Sequence, residues 1–317
     1  MLDTSDIMSD RTHGGFSLNT RGTMDSLSHL LATLKVTANV FHNGQYCGNW
    51  AVDTSGSHYI SFHAVSHGRC YVKSIDEAEV HTLSVGDVVI FPRDAKHVIT
   101  SDADFTQPVN TEQSVDFNTL ERNGTGLVCG YFEHHHPMIA SITEFLPTVI
   151  VIKRSDHQQS ALALLTQTLL TESVHQADGA MLILSRLSEC ILALIFRDYL
   201  QVEKGILAAL ANPKLAPAIK SIFAAPAQKW TVDTLAETCF ISRTAFATLF
   251  KQTLGISPID FATQWRLGLA YRQLADDNVS TLAAALECGY ESEASFSKAF
   301  KRVFGVSPGS IRAQVKT

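Results

Sequence analysis

Residues 246–258 read FATLFKQTLGISP and residues 296–308 read FSKAFKRVFGVSP. The second stretch repeats the first at an offset of 50, with identical pairs at Phe246/Phe296, Phe250/Phe300, Lys251/Lys301, Gly255/Gly305, Ser257/Ser307 and Pro258/Pro308. Ser242 and Ser292 carry the match upstream, each four residues before the first Phe. A repeat at one fixed offset is one supersecondary unit used twice, and two copies are too few for a solenoid. Two copies suit a tandem binding module.

The chemistry of the unit says what it is. A leading Ser N-caps a helix, and Gly followed by Ser-Pro stops that helix and starts another. Phe246, Leu249, Phe250 and Thr253 share one helical face, as do Phe296, Ala299, Phe300 and Val303. These are core positions. The opposite face carries Arg243, Thr244, Ala247, Thr248 and Lys251 in the first copy. In the second it carries Glu293, Ala294, Ser297, Lys298 and Lys301, with Arg302 beside them. A shorter helical pattern precedes each copy, over 232–239 and 281–288, and one long helix over 259–275 joins the two. A short helix, a tight turn and a longer helix with a small-polar and basic outer face is a helix-turn-helix.

Charge separates this part from the rest. Residues 213–317 hold 12 Lys/Arg and 8 Asp/Glu, a net of +4. Residues 1–212 hold 13 and 23, a net of −10, which gives the −6 of the whole chain. A basic module on an acidic remainder is the footprint of phosphate binding by one part only. Arg243, Lys251, Lys301 and Arg302 are expected on phosphate. Thr244, Ala247 and Thr248 favour hydroxyl and methyl contacts, and Glu293, Ser297 and Lys298 can read cytosine or guanine edges.

The stretch WTVDTLAETCFISRTAFATLFKQTLGISP, followed by ALECGYESEASFSKAFKRVFGVSP, resembles the AraC/XylS-type transcription regulators over about the last hundred residues. Phe240 departs from the small turn residue of many members. The resemblance implies sequence-specific binding of double-stranded DNA, transcriptional activation with RNA polymerase as partner, and a homodimer. It also places the two outer faces in successive major grooves, about 34 Å apart.

A chain of 317 residues suggests two domains. No secretion signal is readable, and apolar stretches such as 191–196 are too short to span a bilayer. Six scattered Cys with no CxxC pair suit a reducing cytoplasm and argue against a zinc finger. Residues 1–24 are polar and expected to be disordered. A short helix over 25–35 is followed, up to about residue 132, by short alternating runs that argue for an all-β barrel or sandwich. GDVVIFP at 86–92 with His97, together with Gly68 and the trailing CGYF at 129–132, resembles the cupin-type sensor domains of AraC-type regulators. After Pro147 two helical patterns, 161–173 and 180–201, form a hairpin with a 3-4-3 seam that packs on the barrel, in a dimer, or in both. The expected fold is α+β: a cupin-like sensor domain over 25–147, a helical dimerisation or linker hairpin over 148–212, and an all-α tandem helix-turn-helix domain over 213–317.

The function of the barrel is more open. All 13 His lie between His13 and His175. The usual cupin ligand positions fall near Ser55, Ser57 and Ser61, so most of the metal set is absent. His97 holds the later His position, and His63 and His67 share strand parity with Ser61, which aims all three at one face. They define an effector pocket, or a site for zinc or nickel. Cys47, in a polar loop, and Cys129, in a strand, are candidate redox residues. The His134–His136 run reads as an exposed strand-exit loop. A small-molecule, metal or redox effector is expected. The other reading is a cupin-type metal-dependent enzyme fused to a DNA-binding domain, against which the missing ligands count.

Overall fold

A computed structural model describes residues 25–314, apart from 107, 110–113, 116–123, 135, 158–159, 176 and 278. The segment 1–24, expected to be disordered, lies outside the described residues. The chain opens on helix α1 (Ser26–Leu34), capped by Asp25, whose carboxylate accepts from the Ser28 amide at 3.0 Å. The strands follow as β1 (Thr37–Tyr46), β2 (Ala51–Asp53), β3 (Ile60–His67), β4 (Arg69–Ser74) and β5 (Val80–Ser84). They continue as β6 (Val88–Phe91), β7 (His97–Thr100), β8 (Ser114–Val115), β9 (Thr125–Glu133) and, after helix α2 (Ile139–Thr143), β10 (Ile150–Ile152).

These strands form two separate antiparallel sheets, β10-β6-β3-β9-β1-β8 and β2-β7-β4-β5. Of the barrel or sandwich expected, the strands make the sandwich, an open two-sheet jelly roll not closed into a barrel. The chain changes sheet at sharp turns instead of carrying one ladder around. Gly68 makes such a turn between β3 and β4 at φ +70°, and a Cβ there would lie 2.6 Å from the Gly124 carbonyl oxygen. The β10 strand pairs with β6, so the sheet unit runs past the limit expected at residue 147.

The pleat sends alternate residues to two cores. Phe62, Ala64, Val88 and Ile90 enter the core shared with helices. Val65, Val89, Phe91 and Cys129 enter the core between the sheets. The helical side is covered by the hairpin of α3 (Ala161–His175) and α4 (Ala180–Asp198), whose Leu184, Ser188, Ile191 and Ile195 are buried at helical spacing. The layers are therefore small sheet, large sheet and helix pair.

The C-terminal part is helical: α5 (Gly205–Ala211), α6 (Ala216–Ala224), α7 (Val232–Thr238), α8 (Arg243–Leu254), α9 (Pro258–Asp276), α10 (Thr281–Glu287), α11 (Glu293–Phe304) and α12 (Pro308–Gln314). The repeat appears as matched capping. Ser242 and Ser292 cap α8 and α11, and Gly255 and Gly305 end them, both at φ +76°. Phe246, Phe250, Phe296 and Phe300 are all wholly buried. The long helix α9 serves two cores from two faces: Phe261 and Trp265 pack with the first unit, and Leu267, Ala270 and Leu274 with the second.

The two turns differ. Gly289 takes φ +73° in the second unit, whereas the first places Phe240 at φ +54° with its side chain 94 % exposed. A left-handed L-residue costs about 1–2 kcal/mol, and the greater unfolded freedom of glycine offsets part of that. Phe240→Gly is therefore expected to raise stability by about 0.5–1 kcal/mol, read as a higher Tm.

One core runs through the sheet unit and the first helix-turn-helix. His29 of α1 stacks on Phe223 of α6 with ring centroids 5.4 Å apart, and Phe223 stacks on Trp265 of α9 at 4.0 Å. The Arg272 guanidinium of α9 donates to the Thr33 carbonyl at 2.7 Å. His136 corrects an expectation: it is fully buried, its ring 5.2 Å from Trp265, while His134 is half-buried and His135 lies outside the described residues.

Candidate nucleic-acid interface and sensor site

The faces opposite the buried Phe pairs are open to solvent. Arg243, Thr244, Thr248 and Lys251 are exposed on α8, with Ala247 half-buried between them. Glu293, Ala294, Lys298, Lys301 and Arg302 are exposed on α11, with Ser297 half-buried. A helix whose Phe stripe is locked in a core and whose other face is small, polar and basic can enter a major groove without rearranging. Arg243 faces Asp233 of α7 at 3.4 Å, both well exposed, so the pair is weak and the guanidinium remains available to a phosphate. The two units touch. Lys229 and Glu291 pair at 3.0 Å, and the Arg266 guanidinium lies 4.9 Å from the centre of the Tyr290 ring.

The second site lies between the sheets. His63 of β3 and His97 of β7 face each other across the sandwich, both wholly buried, with Nε2 atoms 3.2 Å apart. The Thr54 hydroxyl lies 3.1 Å from His63 Nε2 and 2.9 Å from His97 Nε2. His97 Nδ1 is 2.7 Å from the Ala95 carbonyl. A carbonyl only accepts, so Nδ1 carries the proton and the Nε2 lone pair points at the other two groups. His63 Nδ1 is buried without a partner. Burial, reinforced by His97 and then His42, drives the His63 pKa well below the usual imidazole value. Burial lowers that of His97 too, against the Ala95 carbonyl and the Asp53 and Asp94 carboxylates, which raise it. Thr54 lines a cleft of about 430 Å³ that also includes His42, Tyr46 and Tyr131.

The loop around this site is tied down by one carboxylate. Asp94 accepts from the Gly56 and His58 amides at 2.9 and 2.7 Å and from the Ser61 hydroxyl at 3.3 Å. Thr54 escapes the sequence reading because β2, which positions it beside His97, has only three residues. The register Asp53↔Val98 places the next pair opposite each other. His67 does not join the site. A bulge between Val65 and His67 adds one residue to β3, so parity flips and His67 is exposed. Ser57 lines the cleft, and Ser55 turns its hydroxyl to Asp53.

The thiols are placed differently. Cys129 is fully buried and its pKa is driven well above the usual thiol value, first by burial and then by Cys70. Cys47 is half-buried one residue beyond Tyr46, which pairs with Thr125. Five register positions separate it from Cys129, roughly 17 Å at the rise of a strand, too far for a direct disulfide.

Comparison with known proteins fits both halves. The Cupin family model matches residues 25–201 and a Helix-turn-helix domain model matches 235–314. An AraC-like transcription regulator of Streptomyces lividans is 31 % identical over 91 % of this chain and 98 % of its own length. The RCS-specific HTH-type transcriptional activator RclR of Escherichia coli K12 is 27 % identical over 92 % and 99 %. The DNA-binding domain of AdpA, solved with a target DNA, is 27 % identical over 32 % of this chain and 93 % of that chain, with a TM-score of 0.29. A cupin-type sheet unit joined to tandem helix-turn-helix units defines a DNA-binding transcription regulator. The chain belongs to the AraC-type family of such regulators. Among the described residues, no helix is long and apolar enough to cross a membrane.

Proposed function

We propose that this regulator is a cytoplasmic transcription activator whose effector binds at Thr54, His63 and His97. The carrying observation is a fully buried pair of imidazoles sharing one hydroxyl at the edge of an open cleft. The three groups bond to one another, and Thr54 also lines the open cleft, so a molecule entering the cleft meets them. A route to the DNA-binding half starts at the turn before His97. Asp94 of that turn holds the site loop, and Arg93 donates to the Thr143 and Leu146 carbonyls at 2.6 and 2.7 Å, tying it to the end of α2. The α2 helix packs on α5, which packs on α8. The buried thiol of Cys129 argues for a bound effector over thiol oxidation. The α3–α4 hairpin exposes Leu164, Leu182 and Met181, which suit a second copy of the chain. Double-stranded DNA and RNA polymerase are the macromolecular partners.

The test is footprinting on the DNA flanking the regulator's own gene. Lys298→Ala is expected to relax base preference at one half-site only, by roughly 1–3 kcal/mol. Equal weakening on every sequence would make Lys298 a phosphate contact instead. A variant lacking the His97 imidazole should bind the same site and lose the effector response.

A further inference from the structure

We propose that the ligand of the Thr54–His63–His97 site is a divalent transition-metal ion of the zinc, cobalt or nickel type, held by the two Nε2 atoms with the Thr54 oxygen beside it. This rests on the effector-site reading above. Three observations carry it. The first is a distance. Imidazole nitrogens 2.0–2.1 Å from a tetrahedral ion stand roughly 3.3 Å apart, and the two Nε2 atoms stand 3.2 Å apart. The second is orientation. Ligating histidines donate their other ring N–H to a carbonyl or carboxylate, which fixes the tautomer, and His97 does this to Ala95. The third is a further imidazole. His42 and His63 both pair with Cys129, one from each side, so the pleat sends them to the same inner face. His42 Nε2 is buried without a partner.

The site is incomplete as a protein cage. Among the described residues, no group of three or more His, Cys, Asp or Glu stands in metal-holding geometry. Two buried imidazoles, that of His97 held through the Ala95 carbonyl, with remaining positions left to water, or to His42 after rotation of its ring, make an exchangeable site, as a sensor requires. The set is also unlike the usual cupin ligands, whose positions here carry Ser55, Ser57 and Ser61.

The full-length chain without a histidine tag is titrated with Co(II) and with Zn(II). Wild type is expected to give visible d–d absorption with one Co(II) per chain above any background. His63→Gln and His97→Gln should each weaken binding by about 100-fold or more, and Thr54→Val by about tenfold. A second measurement needs no variant: the wild-type Tm rises with added Zn(II) and returns with EDTA. Equal binding in wild type and both His variants, or no metal-dependent Tm shift, would overturn the proposal. Loss of an organic effector's action on DNA in His97→Gln, with no metal bound by wild type, would end the metal proposal and leave the effector site standing. His-dependent metal that leaves DNA binding unchanged would do the reverse.

Discussion

Gly268→Ala is expected to lower stability, although alanine is the better helix former. Gly268 lies inside α9, and in an open helix interior the change would stabilise by about 1 kcal/mol. Here a Cβ would meet His136 Cε1 at 2.4 Å and Nε2 at 2.7 Å. The His136 ring is fully buried against Trp265, itself wholly buried under Phe223, so it has little room to swing. Overpacking a closed core costs about 1–3 kcal/mol, and a contact this short belongs at the upper end. The net is a loss of about 2 kcal/mol, or a Tm lower by roughly 4–8 °C. Adding His136→Ala should return most of it. A double variant as unstable as the single one would show that the clash is not the source. The test matters because the contact joins the sheet half to the helix between the two DNA-reading units. A compensating pair across it would establish that the halves are one mechanical body there.

That joint is hidden from the sequence, and the reason is physical. Helix caps are local. Ser242, Ser292, Gly255 and Gly305 mark α8 and α11 because each acts on its own turn, so the tandem units are legible in full. The strands are legible as alternating runs, but their closure is not. Whether they form one ring or two sheets depends on which edges meet, and here β10 and β8 of one sheet and β2 and β5 of the other are left as edges. His97 is found by its place in the cupin-like motif and His63 by strand parity with Ser61. His67 is misplaced by the same rule, because one extra residue in β3 leaves no mark on the pattern. Thr54 is missed because three residues show no period. The run at 134–136 looks polar and exposed, yet His136 is buried by a partner more than a hundred residues away. Only tertiary packing reveals that.

The same buried ring sets an acid limit on stability. His136 Nδ1 accepts from the Met138 amide at 3.3 Å, and Nε2 is buried with no partner. Burial first, then the positive charge of Arg272 and then His134, holds its pKa down to about 3. In the unfolded chain the imidazole titrates near its ordinary value, about 6.5. Between those values the unfolded state binds a proton that the folded state refuses, so stability falls as pH falls. Above about pH 6.5 the His136 contribution is constant. Its loss reaches about 2 kcal/mol at pH 5 and about 3.5 kcal/mol at pH 4, at 1.36 kcal/mol per unit. His63 and His97 are also lowered and add to the slope in the same window. The His136 share is isolated by denaturant unfolding of wild type and His136→Gln at pH 7 and pH 5. The variant loses a polar ring contact at both pH values, but its stability should fall by about 2 kcal/mol less than that of wild type over the interval. Parallel losses in the two proteins would mean that His136 takes up its proton without unfolding, and that the joint between sheet and helix opens to admit it.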